Sequence, residues 1–210
     1  MATTATTSHP TTSARAFPLT YFVIAFAFTG FFWGLAALGA RGAIPALPGA
    51  TVIGTFGPLV AAVVVTAQES GRAGLRSLFG RVVRLRVAPV WYGVVLLGPI
   101  LLMLAALALE VVALSGQPPS LGALIGALPV LVIVALYMVF FVALGEEVGW
   151  RGYALPALQA RYGALVSSVI LGVLWALWHL PVFFNPETHY SDLPFALQVA
   201  FQVPVAILFT

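Results

Sequence analysis

The chain has 210 residues, 61% of them hydrophobic and only 7% charged, and its net charge of +3 is nine arginines against six acidic residues, with no lysine. A soluble domain uses roughly 25% charged residues to cover its surface, so a water-soluble globule is excluded and a polytopic membrane protein remains. The chain has no cysteine, which also excludes disulfides, thiolate-bound zinc and thiol nucleophiles.

Residues 1–16 are rich in Thr, Ser and Ala, which predicts a disordered tail ahead of a membrane-embedded domain over 17–210. The run from Ala16 to Ala40 carries no charge. It exceeds the roughly 7–15 residues of a secretory signal's apolar core, so it reads as a first span and not as a cleaved leader. With that span at 18–38, further apolar segments near 50–68, 89–114, 121–150, 163–184 and 194–210 make about six. A span takes roughly 20 residues at ~1.5 Å each, so the fold class is all-α, a transmembrane helical bundle. The fourth segment is too long for a simple span, and Pro129 is expected to kink it or to divide an entry turn from the main helix. Gln117-Pro118-Pro119-Ser120 breaks the chain before it. The sixth segment stops at Thr210 without a polar flank and reads as cut short. No internal repeat is visible.

The arginines order these spans. Arg72, Arg76, Arg81, Arg84 and Arg86 fall in one predicted loop, and a cytoplasmic N-terminus puts them on the same side as Arg15, Arg151 and Arg161, with only Arg41 outside. The basic excess is therefore a topology signal and not a nucleic-acid footprint. The expected setting is a bacterial plasma membrane, with the lipid bilayer as the constant partner.

After 35 residues without a charge, from Val111 to Gly145, the sequence reads LGEEVGWRGY over 144–153. Ionisable groups at membrane depth cost about 2.5–3.5 kcal/mol on insertion scales and need a partner or a wet cavity. Glu147 and Arg151 stand i,i+4 and can pair, which leaves Glu146 freer to hold a water. The stretch LWALWHLPVFF over 174–184 places His179 in an apolar helix, with Trp175 one turn before it on the same face. The bland alternatives are an interfacial ion cluster and a hydrogen-bonded core histidine. Spacing argues for more. Glu147 precedes Gly163 by sixteen residues and His179 follows it by sixteen, so a turn at Arg161-Tyr162-Gly163 would set the two level, roughly 24 Å along each helix, with Pro156 bending the first arm. Carboxylates and an imidazole at one level of a bundle are suited to activating water.

These motifs resemble a known family. GEEVGWRGYALPAL is similar to the E-E-x-x-x-R motif of the CAAX-processing and bacteriocin-processing intramembrane proteases, the CAAX prenyl protease 2 and lysostaphin-resistance-like proteins. Trp175 and His179, followed by Leu180 and Pro181, resemble the family's F-x-x-x-H motif with Trp for Phe. The likeness covers about 130–184 and implies a membrane endopeptidase acting on peptide or protein substrates, some of them prenylated. By that resemblance Glu146 is the base that activates water, Glu147 and Arg151 support it, and His179 binds the metal or the oxyanion. The implied metal is zinc, with His179 and Glu147 as candidate ligands and Trp175 in a supporting place. The family's third motif, a histidine with asparagine or a similar residue four positions on, does not occur before Thr210, and His189, followed by Leu193, does not supply it. Either that helix lies beyond a chain cut short, or the site lacks a part; the paired motifs favour the endopeptidase, and the gap is the main support for the alternative, a non-catalytic immunity or scaffold protein with the same helical core. A transporter is more distant, since no inverted repeat supports it.

Overall fold

The structure, a computed structural model, describes residues 17–83, 86–115 and 120–210. The tail over 1–16, Arg84 and the break at Gln117-Pro118-Pro119 lie outside the described residues. Among those described, every regular element is a helix. Five helical stretches are long and apolar enough to cross a membrane, and Phe195–Leu208 is a shorter apolar helix of 14 residues. The chain is an integral membrane protein.

The first span is α1, Leu19–Ala40. Its hydrophobicity is nearly uniform around the helix, so the buried face is not marked by polarity. It is marked by a stripe at every fourth residue, Tyr21, Ala25, Thr29, Trp33 and Ala37. Lipid is as apolar as leucine, so helices in a bilayer associate through close packing and hydrogen bonds and not through a hydrophobic difference. Thr29 shows both. Its hydroxyl donates to the Gly54 carbonyl at 2.7 Å and accepts from Trp178 Nε1 at 2.8 Å. Trp33 Nε1 donates to the Thr51 carbonyl at 2.7 Å.

The second span begins as the short α2, Ala50–Gly54, breaks at Thr55–Phe56 and restarts as α3, Gly57–Val82, with Pro58 in its first turn. Proline suits that position because its missing N–H would have no helical partner there. Gly71 interrupts α3 with φ 56° and ψ −148°, a conformation open mainly to glycine. Beyond Gly71 the chain stays helical, so Arg72, Arg76 and Arg81 are carried on a helix and not in the predicted loop. Arginine is a good helix former and Gly71 alone absorbs the bend.

Helix α4, Pro89–Glu110, and helix α5, Leu121–Tyr137, expose large aliphatic side chains such as Leu102 and Ile133, a surface that only lipid accommodates at low cost. The helix runs through Pro129 instead of dividing there. The irregularity in this long span lies lower, where Met138–Glu147 and Trp150–Ala154 wind as π-helix before α6, Leu155–Tyr162. Gly163 turns the chain at φ 74° and ψ 176°, as its place in the predicted hairpin requires, and α7 follows over Ala164–Trp178. Helix α7 packs on α6 and on α8, Phe195–Leu208. Gly172 permits that second crossing, for a Cβ there would come within 2.8 Å of Val203 Cα.

Candidate active site

The glutamate motif is seated by glycine. A Cβ on Gly149 would lie 2.4 Å from the carbonyl carbon and oxygen of Pro58, and one on Gly145 would lie 2.9 Å from the Thr55 carbonyl oxygen. The two glycines four residues apart let the π-helical stretch lie against the Thr55–Pro58 break, the close approach that small-xxx-small spacing allows in membranes. Most π-helix occurs as single-turn bulges, often at functional sites. Here ten residues, ending at Glu147, adopt it.

The paired acids part company at this point. Glu146 is buried, 6% exposed, and accepts a hydrogen bond from Trp175 Nε1 at 2.8 Å. Glu147 turns the other way. Its Oε1 accepts from Arg151 Nη1 at 2.7 Å, and with Arg151 it lines a separate, mostly apolar cavity beside Leu78, Arg81 and Val139. The i,i+4 pair expected from sequence is present. The spacing sets Glu147 level with His179 and leaves open which acid approaches it; of the two, Glu146 lines a cavity with the histidine. Adjacent helical residues point about 100° apart, so only one acid of the pair can face α7.

Trp175 joins the two halves. The Arg151 guanidinium carbon lies 4.4 Å from the centroid of its ring, while its N–H reaches Glu146. A cation on the indole face draws electron density from the ring and makes the N–H a stronger donor to the buried carboxylate. A substituent at Trp175 therefore acts on both acids at once.

Helix α7 ends at Trp178, and His179 caps it because Pro181 has no N–H to continue the ladder and its ring opposes the Leu177 carbonyl. A short 3-10 turn, Leu180–Phe184, follows. The imidazole is 7% exposed and sits against Trp178, with ring centroids 4.8 Å apart. Its Nδ1 lies 2.9 Å from the Trp175 carbonyl oxygen and 3.1 Å from Gln202 Nε2. The two partners select opposite tautomers. A proton on Nδ1 donated to Trp175 leaves the Nε2 lone pair open to a metal. An unprotonated Nδ1 that accepts from Gln202 makes Nε2–H a donor.

Glu146, Trp175 and His179 line one cavity of about 550 Å³, whose other walls include Met138, Val142, Tyr190, Phe201 and Gln202. Gln202, 3% exposed, was missed in the sequence. Its signal was the pair of glutamines, Gln198 and Gln202, in an otherwise apolar helix. The segment around His189, set aside as an outer loop, also lines this cavity. A catalytic zinc takes about three protein ligands. Among the described residues there is no group of three or more His, Cys, Asp or Glu able to hold a metal. Glu146 and His179 supply two donors, so the described residues do not by themselves complete a zinc site.

Residues 128–210 match the family model described as type II CAAX prenyl endopeptidase Rce1-like. A stretch of 58 residues, 28% of this chain, is 38% identical to CAAX prenyl protease 2 of Methanococcus maripaludis and covers 21% of that protein. The chain thus matches about a fifth of the length of this curated relative. Over the segment that carries Glu146, Arg151, Trp175 and His179, the chain is similar to the Rce1-like CAAX prenyl endopeptidases, the family that its two motifs resemble.

Proposed function

We propose that the chain carries the site of an intramembrane endopeptidase, with Glu146 as the base for an attacking water and His179 as a donor to the carbonyl oxygen. The observation that supports this is one cavity, in a helical membrane domain, that holds a buried carboxylate and a buried imidazole. Trp175 donates to one Glu146 oxygen, and in this reading the carboxylate's other oxygen takes the water. The water oxygen bonds to the scissile carbon, its proton passes to Glu146, and charge moves to the carbonyl oxygen. The carbon–nitrogen bond then breaks as Glu146 returns the proton to the leaving amine. With Gln202 donating to Nδ1, the His179 Nε2–H meets the developing oxyanion. Glu147 and Arg151 act through Trp175 as positioning residues.

The substrate class that fits is a peptide segment at the membrane, prenylated substrates included, in keeping with the name of the curated relative. A cavity of this size takes a few side chains and not a folded domain. The orientation proposed is N-terminus cytoplasmic, which puts Arg72, Arg76, Arg81, Arg151 and Arg161 on that side. A requirement for zinc is tested separately, by chelation.

The test is peptide cleavage by the full-length protein in detergent. Glu146→Gln keeps shape and hydrogen bonding and removes the base, so cleavage should fall by at least about 100-fold while insertion and thermal stability hold. Full activity in this variant would make the acids structural and the protein a scaffold. Cleavage that survives exhaustive chelation would remove the metal and leave Glu146 in place.

A further inference from the structure

Tyr190 lies outside both glutamate and histidine motifs, in the segment between α7 and α8. That segment is built, not merely draped. The Thr188 hydroxyl lies 3.0 Å from the Val182 carbonyl oxygen and 2.9 Å from that of Asn185. The Glu187 N–H donates to Asn185 Oδ1 at 3.0 Å, and Ser191 Oγ donates to the Thr188 carbonyl at 2.9 Å. Asn185 itself is 4% exposed. These bonds fold the turn His189–Asp192 back over the C-terminal end of α7. There the Tyr190 ring stands 6.0 Å from the His179 ring and 5.4 Å from that of Phe183, and it lines the same cavity as Glu146.

We infer that the Tyr190 hydroxyl is a second hydrogen-bond donor to the scissile carbonyl oxygen, placed beside His179 by the roof over the cavity. This rests on the endopeptidase reading above. The bond forms as the carbonyl becomes an oxyanion, and Tyr190 keeps its proton throughout, so the stabilisation belongs to the transition state more than to bound substrate. With Glu146 lining the same cavity, two donors and a base would hold a carbonyl among them.

The experiment compares Tyr190→Phe and Tyr190→Leu with the parent in the full-length protein. Cleavage of a membrane peptide is followed for kcat and KM, and binding of the same peptide is measured in a Glu146→Gln background. The expected result is a kcat reduced by about 100-fold in Tyr190→Phe, with KM and peptide binding within about twofold of the parent. Tyr190→Leu, which also loses the ring contacts, should lose binding as well. If Tyr190→Phe retains kcat and only Tyr190→Leu is impaired, the ring packs and the hydroxyl does nothing, and the inference is overturned. If KM rises with kcat unchanged, the hydroxyl binds substrate only and the inference is likewise wrong. In either case a dead Glu146→Gln leaves the endopeptidase reading standing, whereas a fully active Glu146→Gln removes both.

Discussion

Gly149→Ala is the sharpest perturbation the structure offers. The new methyl carbon would sit 2.4 Å from the carbonyl carbon and oxygen of Pro58, against about 3.4 Å for ordinary contact, so something must yield by about 1 Å. The opposing atoms are backbone, at the restart of α3, and cannot rotate away as a side chain would. Either the π-helical stretch withdraws or the Thr55–Pro58 break moves. Overpacking of this kind costs about 1–3 kcal/mol. Glu146 lies three residues before Gly149, so a shift of that size would carry its carboxylate off the Trp175 N–H and away from the cavity shared with His179. A displacement of about 1 Å at a catalytic group costs on the order of 100-fold in rate. The assay pairs thermal unfolding in detergent with peptide cleavage, and Gly126→Ala serves as reference, since a Cβ there meets nothing within 4 Å. In a helix interior that control should be neutral or stabilising by up to about 1 kcal/mol. A Gly149→Ala protein as stable and as active as the parent would refute the close approach, and with it the account of how Glu146 is positioned.

Thr29→Val keeps the shape of the side chain but leaves the Trp178 N–H and the Gly54 carbonyl without their partner. At about 0.6 kcal/mol for a typical interhelical hydrogen bond in a membrane, the loss should be roughly 1–2 kcal/mol, read as a lowered unfolding midpoint with the cavity residues unchanged. The topology is checked with single cysteines at Ser77 and Tyr162. Both should react with an impermeant thiol reagent only once the cytoplasmic face is opened, and labelling of either in intact cells would reverse the orientation.

Much of this protein is legible along one dimension. The apolar runs and the scarcity of charge dictate a helical membrane domain because a bilayer admits little else. Gly163 marks the hairpin because only glycine adopts its φ of 74° and ψ of 176° without strain. The Glu147–Arg151 pair follows from i,i+4 spacing alone. Which residues share a helix face is also readable, since periodicity is local. What stands opposite that face is not. Along α1 every side is apolar, so hydrophobicity could not single out the stripe from Tyr21 to Ala37, which packing against α3 and a hydrogen bond to Trp178 selects. The choice of Glu146 over Glu147 as the acid facing His179 depends on the rotation of one helix. That rotation is set by Gly145 and Gly149 against the Thr55–Pro58 break, some 90 residues away in sequence. The Trp175–Glu146 bond, the Gln202 contact with His179 and the Tyr190 roof likewise join segments whose separation carries no local signal. Tertiary packing alone brings them together, because close approach and hydrogen-bond geometry decide helix rotation where lipid gives no hydrophobic preference.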